Sequence, residues 1–242
     1  MRQEAPNLLV LDAGDALIRD RAPATTSRGA SSVELLNTMG YDAMVLGEGD
    51  LGLLGVDRLG ELLPEAQFAT LSANVVFADT AALSSTGGGL VRPYLVRQIE
   101  GQNVAVIGLT GPSYYLGDAI RDTFEAVREA VEQASQEADV LILLSHAGIT
   151  TNGQIARQFP ELDLIVSGGG KGYTPAPLVS EGAAPIVQAD MSSPGHAGRV
   201  VGVGTWWFDA HGRLLGYQWA LVPLTSELQD DLEMSLWLRE NP

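Results

Sequence analysis

The sequence predicts an α/β layer fold, on three observations. Apolar runs of strand length alternate with helix-period patterns through the first two thirds of the chain, the signature of packed sheet and helix layers. Val140 to Leu144 is apolar throughout, as suits a strand covered on both faces. Two pairs of apolar runs flank short turn sequences and read as hairpins: Tyr94 to Ile99 with Val104 to Leu109, and Gly198 to Phe208 with Arg213 to Leu221.

Taken in order, Asn7 to Asp15 is a short apolar run that ends in Gly-Asp. Ser31 with Glu34 predicts a capping box ahead of Val33, Leu35, Leu36 and Met39, and Gly40 is placed to end that helix. Ala43 to Leu46 reads as a buried strand, and Val56 to Leu63 as a helix stopped by Pro64. Gly87-Gly88-Gly89, in a Ser/Thr/Gly-rich stretch, reads as a flexible loop. A longer helix is expected from Thr123 to Ala138, with Phe124, Val127, Val131 and Ala134 on one face. Ser226 and Gln229 open a final amphipathic helix over 226–242, with Leu228, Leu232 and Leu236 on one side. Trp206, Trp207 and Trp219 fall in predicted strands, where packing is the usual role of tryptophan. The expected organisation is one domain over 1–242, without internal repeats.

With 242 residues and 45% hydrophobic content, the chain can bury a sizeable core. Fourteen Lys and Arg against thirty Asp and Glu leave a net charge of -16, which repels a polyphosphate backbone and argues against a nucleic-acid partner. The chain has no cysteine, so disulfides, Cys-ligated zinc and a thiol nucleophile are all excluded. No apolar run approaches the ~20 residues of a membrane span, and Met1 to Pro6 has no signal-type apolar core. The compartment is left open by these features.

Six segments carry a family resemblance. They are Asn7 to Asp15, Met39 to Gly47, Leu71-Ser72-Ala73-Asn74-Val75, Val106 to Thr110, Leu143 to Gly148 and Asp163 to Gly169. In this order they resemble the calcineurin-like metallophosphoesterases, specifically the catalytic domain of the 5'-nucleotidase branch. The resemblance implies a four-layer αββα sandwich with two mixed β-sheets and a two-metal phosphoesterase centre. In full-length relatives of this branch a nucleotide-specificity domain follows; none is expected within 1–242. Members of the family are often exported.

Carried over residue by residue, the implied centre is depleted. The family's initial Asp-x-His would precede Asn7, where too few residues stand to supply it, unless 1–242 is a fragment of a longer chain whose preceding strand does; the changes at Gly49 and at Gly169 to Gly172 stand in either case. Asp15 matches the metal-bridging Asp of Gly-Asp, and His146 matches a second-metal His. Where the family has Gly-Asn-His-Glu, this chain has Gly47-Glu48-Gly49-Asp50. The ligand Asn becomes Glu48, which can still ligate through oxygen, and the proton-donating His becomes Gly49, which cannot transfer a proton. The Asp that orients that His falls near Gly52. The late Gly-Gly-His-x-His becomes Gly168-Gly169-Gly170-Lys171-Gly172, without a His but with a Lys able to stand in for a cation.

Of the chain's three His, His196 and His211 lie outside the ligand motifs. Asp15, Glu48 and His146, with or without Asp50, could therefore hold one Mn²⁺, Mg²⁺ or Fe²⁺, or the centre holds no metal. Each residue also has a plain reading: Asp15 as an Asx-type turn, His146 as a hydrogen-bonded strand-end histidine, Glu48 and Asp50 as solvated loop acids. The expected function is a degenerate 5'-nucleotidase-like domain, a non-catalytic binding or structural module. The alternative is a residual single-metal phosphoesterase using Asp15, Glu48 and His146. Either would suit a small phosphorylated ligand.

Overall fold

Three sets of strands organise the protein. The computed structural model describes residues 7–18, 22–77, 83, 89–113, 116–170, 172–190 and 199–241. In chain order its elements are β1 (Leu11–Asp12), α1 (Ala30–Met39), β2 (Ala43–Val45), α2 (Glu48–Leu62), β3 (Ala69–Leu71), β4 (Val91–Arg92), β5 (Tyr94–Ile99) and β6 (Gln102–Leu109). There follow α3 (Thr123–Ala134), β7 (Val140–Ser145), α4 (Gly148–Gln158), β8 (Leu164–Ser167), β9 (Ile186–Val187), β10 (Val200–Phe208), β11 (Leu214–Pro223) and α5 (Leu232–Glu240). The first sheet, β1-β2-β3-β4, is parallel throughout. The second, β5-β6-β7-β8-β9, is parallel except for β5, which pairs antiparallel with β6.

The alternation of side chains along a strand builds the layers. On β6 and β7, Val106 and Leu144 meet Ala43, Val45 and Leu71 of the first sheet in a buried apolar interface between the sheets. Ala105, Ile107, Leu141 and Leu143 point the other way, onto Val127, Val131 and Ala134 of α3 and Ile155 of α4. On the far side, Val33 and Leu36 of α1 and Leu51, Leu54, Leu59 and Leu62 of α2 cover Met44 and Leu46. The result is helix, sheet, sheet, helix. The antiparallel β10-β11 ribbon forms its own two-stranded sheet and rests through Trp206, Phe208 and Trp219 on Val140, Ile142 and Leu164. Trp206 and Trp219 therefore pack as expected, whereas Trp207 lies on the outer face.

Several boundaries differ from the sequence reading. Helix α1 starts at Ala30 with Gly29 as its N-cap; Ser31 lies inside it, buried, bonded to Ser27, so the Ser31–Glu34 box is not formed. Gly40 does end the helix, at φ 71°. Helix α2 begins at Glu48 rather than Val56 and is broken at Gly55, whose φ of 74° interrupts the helical path. Helix α3 stops at Ala134. Helix α5 starts at Leu232, not Ser226, because Asp231 is its N-cap and accepts from the Met234 amide. None of its residues is buried. Gly87 and Gly88 lie outside the described residues. Among the described residues no helix is long and apolar enough to cross a membrane.

Candidate metal centre

The C-terminal ends of β1, β2 and β7 meet at one point, and each delivers one predicted site residue. Asp15 follows β1, Glu48 opens α2 just beyond β2, and His146 follows β7. His146 Nε2 lies 3.2 Å from Asp15 Oδ2 and 3.4 Å from Glu48 Oε2. One ligand atom from each of the three lies within 4.8 Å of the others. Among the described residues this is the single group of three or more His, Asp or Glu donors close enough to share an ion.

His146 is buried, and its Nδ1–H donates to the Ala13 carbonyl at 2.5 Å. That bond leaves Nε2 facing the two carboxylates, the arrangement in which metal-ligating histidines are held. Burial disfavours the imidazolium, but the hydrogen bond and charge of Asp15, the charge of Glu48 and the Ala13 carbonyl outweigh it and raise His146 to about 9. Asp15 shows the counterpart. Burial pushes its carboxyl up, yet His146 and the Gly49 and Asp50 amides hold it below its ordinary value.

Asp15 does not make the turn expected of it. That turn belongs to Asp12, whose Oδ1 accepts from the Gly14 amide at 2.8 Å. The Asp15 side chain reaches instead to α2, where Oδ1 accepts from the amides of Gly49 (2.8 Å) and Asp50 (3.3 Å). Those are the second and third positions of the helix, the donors that an N-cap side chain normally satisfies. The N-cap is Gly47, which has no side chain, so Asp15 caps α2 from another strand. It does so from a left-handed φ of 60°, a conformation costing about 1–3 kcal/mol for a residue other than glycine.

Asp50 was expected as a solvated loop acid or a fourth ligand, and it is neither. It is fully buried, with Oδ2 accepting from Asp15 N and Gly47 N and Oδ1 from Leu17 N. An acid three residues after the N-cap is the capping-box position, a signal obscured by the glycines around it. Burial and the Asp15 charge push Asp50 up to about 7, against the Gly47 and Leu17 amides. Glu48 keeps a half-exposed side chain, but its Oε2 is buried without a hydrogen-bond partner.

At Gly49 a Cβ would lie 2.7 Å from Asp15 Oδ1 and 2.9 Å from its Cγ, so a side chain cannot enter without displacing Asp15. A Cβ at Gly52 would meet nothing within 4 Å. Gly168 and Gly169 pack against Ala13 and His146. Lys171 and His196 lie outside the described residues. His211 sits in the exposed β10-β11 turn, 4.0 Å from Asp209 and apart from the centre.

No protein-family model matches the chain. It is 40% identical over 176 residues to a probable 5'-nucleotidase of Treponema pallidum, covering 69% of this chain and 29% of that protein. It is 28% identical over 170 residues to the uncharacterized metallophosphoesterase YunD of Bacillus subtilis, covering 68% of this chain and 36% of that one. The crystal structure of a 5'-nucleotidase precursor from Thermus thermophilus superposes with a TM-score of 0.84 at 30% identity over 98% of this chain and 49% of its own. The chain belongs to the 5'-nucleotidase branch of the calcineurin-like metallophosphoesterases. It spans about a third of the length of these curated relatives and half of the solved one.

The residues of this metallophosphoesterase domain fit one divalent cation. Two carboxylates and an imidazole suit Mn²⁺, Mg²⁺ or Fe²⁺, Nε2 is aimed inward, and Glu48 Oε2 is a buried oxygen without a hydrogen bond, 3.4 Å from that nitrogen. Among the described residues no further His, Asp or Glu joins the cluster. A cation held here would polarise a phosphoryl oxygen as a Lewis acid.

Proposed function

We propose that this domain is a non-catalytic form of the 5'-nucleotidase-like metallophosphoesterase fold, kept as a binding or structural module. The observation that carries this reading is the contact between Gly49 and Asp15. The position matching the family's proton-donating His holds a glycine against which the Asp15 carboxylate is packed. A positioned general acid contributes typically about 10²–10⁴ in rate, and two-metal hydrolysis needs a clamp on both the attacking and the leaving oxygen. A domain whose described residues hold one such cluster and no acid at position 49 retains, on this reading, neither.

Asp15, Glu48 and His146 are, on this reading, what remains of the centre. The His146 imidazolium supplies between the two carboxylates the positive charge that a cation would bring. A small phosphorylated ligand remains compatible with one cation exchanged for that proton, and the net charge of -16 disfavours extended polyanions. Titration with Mn²⁺, followed by the loss of free-ion paramagnetic resonance, tests the reading. At most one ion per chain is expected to bind tightly. Two tightly bound ions, both lost in Asp15→Ala, would overturn it.

A second reading is favoured by Glu48 Oε2, buried without a hydrogen bond beside His146: a residual phosphoesterase using a single cation at Asp15, Glu48 and His146. It requires a proton source other than residue 49, and solvent at the half-exposed Glu48 side of the centre could serve.

A further inference from the structure

A second polar feature adjoins the centre. Four buried side chains at the C-terminal ends of β7, β8 and β9 and on α4 form a hydrogen-bonded chain running in one direction. Ser145 Oγ donates to Asn152 Oδ1 (2.7 Å), Asn152 Nδ2 to Ser167 Oγ (2.9 Å), and Ser167 Oγ to Gln188 Oε1 (2.7 Å). Gln188 Nε2 then donates to the carbonyls of Gly172 (2.7 Å) and Asp190 (3.2 Å). Thr174 Oγ1 accepts from the Gln188 amide at 2.7 Å, fixing the backbone from which Gln188 projects. All five side chains are at most 4% exposed. Burying so many polar groups is tolerable only because each has a partner, and a satisfied chain of this kind rigidifies what it joins.

Both ends of the chain bear on His146. At one end Ser145 Oγ accepts from Ala147 N, so the residues on either side of His146 are tied together. At the other end Gln188 holds the glycine loop at the carbonyls of Gly169 and Gly172. That loop is bonded back to the β7 end through Gly168 N to Ser145 O (2.6 Å) and Gly148 N to Gly168 O (3.0 Å). Gly169 is packed so closely on the His146 carbonyl that a Cβ there would collide with it and would lie 3.3 Å from ring Cδ2. Gly168 packs in the same way on the Ala13 carbonyl, the acceptor for His146 Nδ1. The loop is thus the wall behind both the ring and the group that orients it.

We propose that Gln188 is a positioning residue for the Asp15–Glu48–His146 centre, clamping Gly168 to Gly170 and Gly172 against His146 and the Ala13 carbonyl through this chain of buried hydrogen bonds. The positioning is read from the hydrogen bonds and the glycine packing; only its effect on a bound ion rests on the cation reading above. Gln188→Met keeps the length of the side chain and removes both the acceptor for Ser167 and the donors to the loop. Ser167→Ala cuts the same chain one link earlier with little loss of volume.

Amide hydrogen exchange and NMR of the His146 ring, on wild type and both variants, test the proposal. The Gly168 and Gly148 amides, which bond the loop to the β7 end, are expected to exchange at least about tenfold faster in the variants, as a local opening, with β6 and β7 still protected. The His146 Nδ1–H resonance is expected to broaden or vanish while His211 is unmoved. Loop exchange and ring resonance as in wild type would overturn the proposal, as would uniform acceleration through β6 and β7, which marks a merely structural role. If Gln188→Met does not fold, Ser167→Ala decides by the same readouts. Mn²⁺ affinity of the same proteins should fall by about 10–100-fold, the usual effect of removing support behind a ligand. Should wild type bind no Mn²⁺, the cation reading fails and the exchange data still decide the positioning.

Discussion

Asp15 and Asp50 exchange hydrogen bonds between side chain and main chain: the Asp15 amide donates to Asp50 Oδ2 at 3.0 Å, and the Asp50 amide donates to Asp15 Oδ1 at 3.3 Å. The pair locks the loop after β1 to the first turn of α2 and fixes the residue that faces His146. A carboxylate that could serve a metal is therefore also a structural cap.

Asp50→Ala leaves the amides of Asp15, Leu17 and Gly47 without the acceptor they share. Unsatisfied buried donors cost about 1–3 kcal/mol each, tempered by relaxation, so a loss of roughly 3–4 kcal/mol in chemical denaturation is expected. A loss below about 1 kcal/mol would show that the lock between the two loops is not formed.

Restoring the family residue at position 49 is expected to harm the protein. Gly49→Ala forces a Cβ to 2.7 Å from Asp15 Oδ1, and such overpacking costs about 1–3 kcal/mol. Gly49→His should destabilise at least as much and bring no phosphatase activity, because Asp15 must move to admit it. A Gly49→His protein as stable as wild type would contradict this geometry; melting curves decide.

Mn²⁺ separates the cation reading from a site closed by its own imidazolium. If the ion binds through Asp15, Glu48 and His146, an excess of 100 times its dissociation constant stabilises wild type by about 2.7 kcal/mol. The melting temperature of His146→Ala should then barely respond. Equal shifts in both proteins would place the ion elsewhere.

Away from the centre, Asp163 gives a pH signature. Burial pushes its carboxyl up to about 6, against the Leu141 amide that donates to its Oδ2 at 2.8 Å. A folded value above the ordinary 3.8 means that the native state binds more protons than the unfolded one between these two values. Its contribution to stability is present below the lower value and is lost as pH rises through the higher. Asp163→Asn cannot ionise, so its advantage over wild type should be larger at neutral pH than in acid. Denaturation curves offset by a constant amount across that range would exclude the effect.

The strands were legible because β2, β7 and β8 are nearly uninterrupted apolar runs with turn residues at their ends. Asp15, Glu48 and His146 were legible as candidates through the family motifs they match at the ends of such runs, and the structure brings all three together. The start of α2 was not legible: Gly47, Gly49, Gly52 and Gly55 break the helical pattern, so Asp50 looked solvated. Nor was Gln188, whose partners come from β7, α4 and β8, so no local window contains the bond that gives it meaning. The only trace is a polar residue directly after the apolar pair Ile186-Val187.

The most direct test of a non-catalytic domain is phosphate release from nucleoside monophosphates by pure protein in excess Mn²⁺, compared with Asp15→Ala. The loss of the acid at Gly49 predicts equal, background release from both. Turnover by wild type that disappears in Asp15→Ala would contradict it and return the domain to the enzymes.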